Sequence, residues 1–233
     1  MDGTRGLIER LYGRPQLELA RPCLRSVIDR RDYAHYHFHE ANNLFQSFAQ
    51  EQLADSSLLE AIFGPDDDTN SSFDLFIMKV GAHVLACIQS LHSITDIMAH
   101  ATYYSLGMNL VGTPLREAAI SSSTVLEELE KSIELNTVHR LLTALASEGG
   151  SEHLAALSNY SKHRSIIRTS LAEDWTGKKK ERHQLMLGAF MYKKSSFPET
   201  SVNDFVGSEF NRIAQLIVDT GNSIHSVLQK RAS

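Results

Sequence analysis

Residues 157–171 read LSNYSKHRSIIRTSL, and the period of the chain changes inside them. Before them, Leu154 and Leu157 fall at helical spacing in a segment that Ser151 opens. From Ser165 onward the run Ser-Ile-Ile-Arg-Thr-Ser-Leu is rich in β-branched residues, as strands are. Between the two, Ser158-Asn159-Tyr160-Ser161-Lys162-His163-Arg164 gathers an amide, a lysine, an imidazole and a guanidinium. The stretch ends a helix, begins a strand and concentrates polar chemistry at the junction.

Downstream, 165–171 and 184–192 read as two strands, with Thr176-Gly177-Lys178-Lys179-Lys180-Glu181-Arg182 as the polar tip between them. Ser195-Ser196-Phe197-Pro198 breaks the pattern. Ser201-x-x-Asp204 then opens a last amphipathic helix over about 202–230, with Phe205, Phe210, Ile213, Leu216, Ile217, Ile224 and Leu228 on its apolar face.

Upstream the periodicity is helical. Ala34, Phe38, Ala41, Leu44, Phe45 and Phe48 share one side of a helix over about 32–53. Gly64–Ser72, with Pro65 and three aspartates, is a loop signal. A long helix follows over about 72–108. Its apolar face is Val80, Val84, Cys87, Ile88, Leu91, Ile94 and Met98, and Gln89, His92, Asp96, His100 and Tyr103 form a polar stripe. Such a helix would run about 50 Å, the length of a bundle spine. Gly112-Thr113-Pro114 ends it. Thr124-Val-Leu-Glu127 has capping-box spacing for a third helix, interrupted near Asn136-Thr137 and stopped at Gly149-Gly150.

The expected fold is mainly α: a four- to five-helix bundle with a small antiparallel β-hairpin, 165–192, inserted before the last helix. Residues 1–233 are expected to form a single domain, with 1–30 wrapping it as an N-terminal segment.

Composition narrows the function classes. The 233 residues are 42% hydrophobic and 22% charged, ordinary for a folded globular chain. A formal charge of −5 and a pI near 6.1 argue against broad coating of nucleic acid and leave room for a local basic patch. Two cysteines without CxxC spacing, Cys23 and Cys87, exclude a cysteine zinc site and suit a reducing compartment. The polar start MDGTRGLIERLYGRP has no signal-peptide core, and the apolar stretch FDLFIMKVGAHVLACIQSL carries Asp74, Lys79 and His83. The expectation is a cytoplasmic protein without a membrane partner. GxSxG, P-loop, GxGxxG and HExxH motifs are absent from the sequence.

Three constellations remain. The first is the opening motif. His163 has the pKa range for acid–base work, Lys162 or Arg164 supplies a cation, and Asn159 orients a phosphate or the imidazole. The plainer reading is a helix C-terminus whose bases sit on the negative end of the dipole. The second is His92-x-x-x-Asp96-x-x-x-His100, a cleft stripe by i, i+4 spacing. With His35 and His39 it offers donors for a metal-dependent bundle enzyme, but no Glu-x-x-His motif accompanies it, and hydrogen bonding between helices is more economical. The third, Lys178-Lys179-Lys180-Glu181-Arg182-His183, reads as a solvated turn or a phosphate contact.

The order of helices, with a polar motif ending in His163 at the end of the third bundle helix, resembles the HEPN superfamily. The phrase NYSKHR before an extended segment also resembles a group of uncharacterised bacterial helical proteins. The HEPN signature is Arg, a polar residue, then His four to six residues after the Arg. Asn159 and His163 match it, and Ser158 stands where the arginine would be. The resemblance implies a four-helix homodimer that binds RNA or an anionic nucleotide, with metal-independent RNase activity in many members. On it, His163, Lys162 and Asn159 are the candidate catalytic residues, and Arg164, Arg168 and Tyr160 the candidate phosphate-binding residues. No cofactor and no metal are expected. A non-catalytic interaction protein acting through dimerisation is the alternative from a different class.

Overall fold

The computed structural model describes residues 2–53, 58–59, 67–178 and 181–233. Seven α-helices lie among the described residues: α1 (Asp2–Tyr12), α2 (Arg14–Gln52), α3 (Asp67–Ser105), α4 (Ser122–Glu130), α5 (Asn136–Ser147), α6 (Ser151–His163) and α7 (Ser208–Ala232). Between α6 and α7 come five short strands, β1 (Thr169–Glu173), β2 (His183–Leu187), β3 (Phe190–Tyr192), β4 (Ser195–Phe197) and β5 (Thr200–Ser201). The fold is mainly α with a small antiparallel β region before the last helix, as the sequence leads one to expect.

Several boundaries differ from expectation. The N-terminal segment is helical: α1 covers Asp2–Tyr12, and α2 begins at Arg14 and continues through Pro22. Pro22 removes one N–H from the ladder, yet the helix persists because its buried positions recur every seven residues. Ala20, Val27, Ala34, Ala41 and Phe48 all lie inside. In α3, Val84, Cys87, Leu91, Ile94, Met98 and Ala101 are buried in alternating steps of three and four. The helix starts at Asp67, inside the expected loop, whose residues 64–66 lie outside the described residues. The capping box is one turn-start earlier than its sequence spacing suggests. Ser121 is the cap, its Oγ accepting from the Thr124 N–H at 3.3 Å while Thr124 Oγ1 accepts from the Ser121 N–H at 2.9 Å. The third helix is two, α4 and α5, joined by a 3₁₀ turn at Ile133–Leu135.

The two expected strands are also redrawn. Ile166 precedes β1 and is exposed. β1 pairs with β2 from Thr169↔Leu187 to Glu173↔His183, and β2 pairs with β5. Gly188 divides the expected 184–192 strand, so Phe190–Tyr192 pairs instead with Ser195–Phe197 in a separate two-stranded sheet. Alternation on β2 turns His183, Leu185 and Leu187 inward.

The chain folds as two compact units interleaved in sequence: Met1–Asp32, Ser90–Glu152 and Asn211–Ser233 in one, Tyr33–Gln89 and His153–Phe210 in the other. In the first unit, Gln16 of α2 meets the end of α3 at Tyr104. The buried Gln16 donates to Tyr104 O (2.5 Å) and Asn109 Oδ1 (2.7 Å), and Asn109 donates back to Gln16 Oε1 (2.9 Å). In the second, Phe48 stacks on Phe76 with ring centroids 4.1 Å apart. There α2 and α3 support the β strands: Thr169 Oγ1 lies 3.5 Å from Ile77 O, and a Cβ on Gly81 would meet that hydroxyl at 3.0 Å.

Gln16→Ala leaves the part-buried Tyr104 carbonyl and the Asn109 amide short of partners. Denaturant unfolding is expected to show a loss of about 1–3 kcal/mol. Arg14→Ala removes an exposed i, i+4 pair with Glu18 and is expected to change stability by no more than about 1 kcal/mol.

Candidate functional site

The opening motif lies at the end of α6. Leu154, Ala156, Leu157 and Ser158 are its buried face. Ser158 is fully buried and its Oγ has no hydrogen-bond partner in the protein. The position that the resemblance sets against the signature arginine is therefore a core position. Asn159 and Tyr160 are half-buried, and Lys162, His163, Arg164 and Arg168 are exposed. The Arg164 and Ser165 N–H groups both donate to the Tyr160 carbonyl, at 2.9 and 3.1 Å, and close the last turn. Lys162 and His163 sit in that turn, where cations complement the helix dipole.

Two of the expected phosphate-binding residues meet each other and two more that sequence reasoning missed. The Arg164 guanidinium lies over the Tyr160 ring, 5.3 Å from its centroid. Tyr160 meets Tyr192 edge-on at 6.3 Å. Lys193 Nζ lies 5.5 Å from the Tyr192 centroid. The result is a strip in the order cation, ring, ring, cation, flanked in sequence by Lys162, His163, Arg168 and Lys194. Lys193 and Lys194 form the two-residue turn between β3 and β4, and Lys193 holds a left-handed φ of 54°. A side chain in that region costs about 1–2 kcal/mol. Tyr192 and Lys193 carried no sequence signal because their partner lies some thirty positions away.

The strip has an aromatic base. Tyr160 rests edge-on against Phe190 at 5.4 Å, Phe190 stacks on its cross-strand partner Phe197 at 4.9 Å, and His153 stacks on Phe197 at 4.9 Å and lies 4.3 Å from Phe205. Burial among these rings lowers the His153 pKa from the ordinary 6.5.

A second polar cluster sits on β1 and β2. Glu173, with a side chain 1% exposed, takes Arg182 at 2.6 Å and the Leu58 N–H at 3.1 Å, and lies 3.6 Å from its cross-strand partner His183. Burial pushes the Glu173 carboxyl up, but the Leu58 N–H, the Arg182 hydrogen bond and the charges of Arg182 and His183 hold it below the usual carboxylate range. Arg182 and His183 belong to the basic run of the sequence, and here they serve a buried carboxylate; Lys179 and Lys180 lie outside the described residues.

The histidine stripes are used locally. Asp96 Oδ1 accepts from the Ser122 N–H (3.3 Å) at the start of α4, and His100 Nδ1 lies 2.9 Å from Asp96 O. His92 is half-buried in α3. Tyr103, expected on the polar stripe, is buried, and its hydroxyl accepts from the Leu115 N–H at 2.8 Å. In the other unit, His35 and His39 approach to 3.0 Å between their Nε2 atoms, and His37 and His83 to 3.0 Å between their Nδ1 atoms. Desolvation, with His83 beside it, lowers the His37 pKa. Among the described residues, no three His, Cys, Asp or Glu side chains come together as a metal site requires. Burial pushes the Cys87 thiol up to about 12, and Cys23 is raised as well, so neither is a thiolate at neutral pH. By length and composition, Ser71–Ser105 within α3 is long and apolar enough to cross a membrane, a test that core helices of soluble proteins also pass.

Compared with family models, curated proteins and solved structures, the chain gives no match.

His37, His153 and His183 all have folded pKa values below 6.5, chiefly through desolvation. A lowered folded value means that the unfolded chain takes up the proton first. The stabilisation is present above the unfolded value and is lost as pH falls through the folded ones. Unfolding free energy is expected to be lower at about pH 5 than at about pH 7.5, and His153→Phe should flatten that slope.

Proposed function

We propose that this chain binds single-stranded nucleic acid, RNA in the first instance, along Arg164, Tyr160, Tyr192 and Lys193. The single observation that carries the reading is the alternation of cations and rings on that strip. Each base has a π-face that can stack on a tyrosine, and each phosphate between bases needs a cation. The two elements come from α6 and the β3–β4 turn, so the spacing of the rings is set by folded structure rather than by a floppy tail. The local basic character suits a chain whose net charge is negative, because it confines phosphate contacts to one place.

The reading agrees with the HEPN-like resemblance, in which the polar run ending at His163 marks the nucleic-acid site. It favours binding without turnover. With Ser158 in the core, the strip lacks the fixed, always-charged fork that the signature arginine offers a phosphate at that position. His163 retains the chemistry of a general acid or base, with Lys162 or Arg164 as the cation and Asn159 as the orienting amide. The homodimer implied by the resemblance belongs to the same proposal. Light scattering should then give a mass near twice the 26.0 kDa of the chain.

Anisotropy of a labelled single-stranded RNA tests the site. Tyr160→Ala and Tyr192→Ala are each expected to weaken binding about 5- to 150-fold, the equivalent of about 1–3 kcal/mol per stacked base. Arg164→Ala and Lys162→Ala should weaken it and reduce its salt dependence. Lys193→Gly relieves the left-handed strain, so it should lose affinity without losing melting temperature. Affinity unchanged in the Tyr160 and Arg164 variants would end the reading. Cleavage that persists in EDTA and falls roughly 10²-fold in His163→Ala would add catalysis to it.

A further inference from the structure

The unit formed by Met1–Asp32, Ser90–Glu152 and Asn211–Ser233 holds a cavity of about 440 Å³ between α1, α2 and α7. That volume lies within the range of roughly 300–1,000 Å³ typical of small-molecule sites. Its walls are the side chains of Leu24 and Ile28 from α2 and Ile217 and Ile224 from α7. Its polar groups are few and converge: Thr4 Oγ1 lies 3.0 Å from His225 Nδ1, with Asn222 and Arg31 also on the lining. Arg31 gives Nε and Nη2 to one carboxylate oxygen of Asp32, at 3.1 and 2.7 Å, and its Nη1 carries two further N–H donors.

Gly221 is the second observation. It lies in the interior of α7, where glycine costs about 0.5–1 kcal/mol relative to alanine. Close packing does not explain it, since a Cβ built there meets no atom within 4 Å, and Gly221 itself lines the cavity. The helix bears this cost at a position that lines the cavity and has open space beside it. Gly3, across the cavity, is of the other kind: its Cβ would come within 3.2 Å of His225 Cε1.

The geometry points to a binding site for a small amphipathic monocarboxylate, with the alkyl or aryl body against Leu24, Ile28, Ile217 and Ile224 and the carboxylate at Arg31. Donor chemistry selects this occupant: Arg31, although paired with Asp32, still carries the two N–H donors of Nη1. Four aliphatic walls favour an apolar body, and the charged side chain of the lining is a guanidinium, the group suited to a carboxylate. The site is separate from the strip at Tyr160 and does not depend on the nucleic-acid reading.

The test uses the full chain with octanoate and decanoate as probes, and octylamine and 1-octanol as controls for charge. Binding is read by calorimetry and by the shift in melting temperature. The two acids are expected to bind and to raise the melting temperature, and octylamine is not. Gly221→Leu should fill the volume and abolish acid binding without lowering the melting temperature. Arg31→Gln should weaken octanoate about tenfold or more while leaving 1-octanol unchanged. Equal binding of octanoate and octylamine, no binding of either acid, or octanoate affinity unaltered in both variants would overturn the assignment.

Discussion

The carbonyl of Tyr160 receives two N–H groups, from Arg164 and Ser165, and the region of His153–Phe210 depends on that closure. With both donors bound there, α6 cannot add another turn. The chain leaves it through 165–168, outside any regular element, and enters β1 at Thr169. The same closure brings the Arg164 guanidinium back over the Tyr160 ring. One backbone acceptor therefore sets the start of the sheet and the first pair of the candidate site together. A substitution that lengthened α6 by a turn would displace both.

Polar groups fix what apolar packing leaves free. In the unit containing both termini of the chain, Arg231 near the end of α7 donates to Glu134, to the Tyr12 hydroxyl (2.7 Å) and to the Leu106 carbonyl (2.9 Å). The Tyr12 ring in turn lies 3.0 Å from where a Cβ on Gly107 would be, at a φ of +66° that side chains avoid. Glycine is required there for space and for backbone. Apolar contacts tolerate sliding along a helix, whereas a guanidinium with three different acceptors holds one register. Glu173 has the same effect on the strands: its pairing with Arg182, and the inward placement of His183 opposite it, tie β1 to β2 at one offset.

The histidines illustrate how one residue type divides by environment. His163 is exposed at a helix end. His153 is held among phenylalanines, where burial lowers its pKa. His35, His39, His37 and His83 pair across one turn or between two helices, with nitrogen atoms 3.0 Å apart. A count of eleven raises the metal question in the sequence, and among the described residues these four side chains approach one another in pairs.

The helical character of the chain, the long buried face of α3, the Ser201 hydroxyl that accepts the Asp204 N–H at 3.3 Å and the change of period after His163 follow from the sequence alone. They are local consequences: apolar spacing, side-chain oxygens near free N–H groups, and β-branched residues express themselves within one or two turns. The exposed cations at the end of α6 were legible for the same reason. The early start of α2 through Pro22 was not, because its seven-residue stripe stabilises the helix by burial against other elements, and that outweighs one missing hydrogen bond. Gly188 as a divider of strands, the β3–β4 pair, the core position of Ser158, and the meeting of Tyr160 with Tyr192 and Lys193 were decided by tertiary structure. Each depends on residues distant in sequence arriving at the same place, and a spacing rule has no term for that.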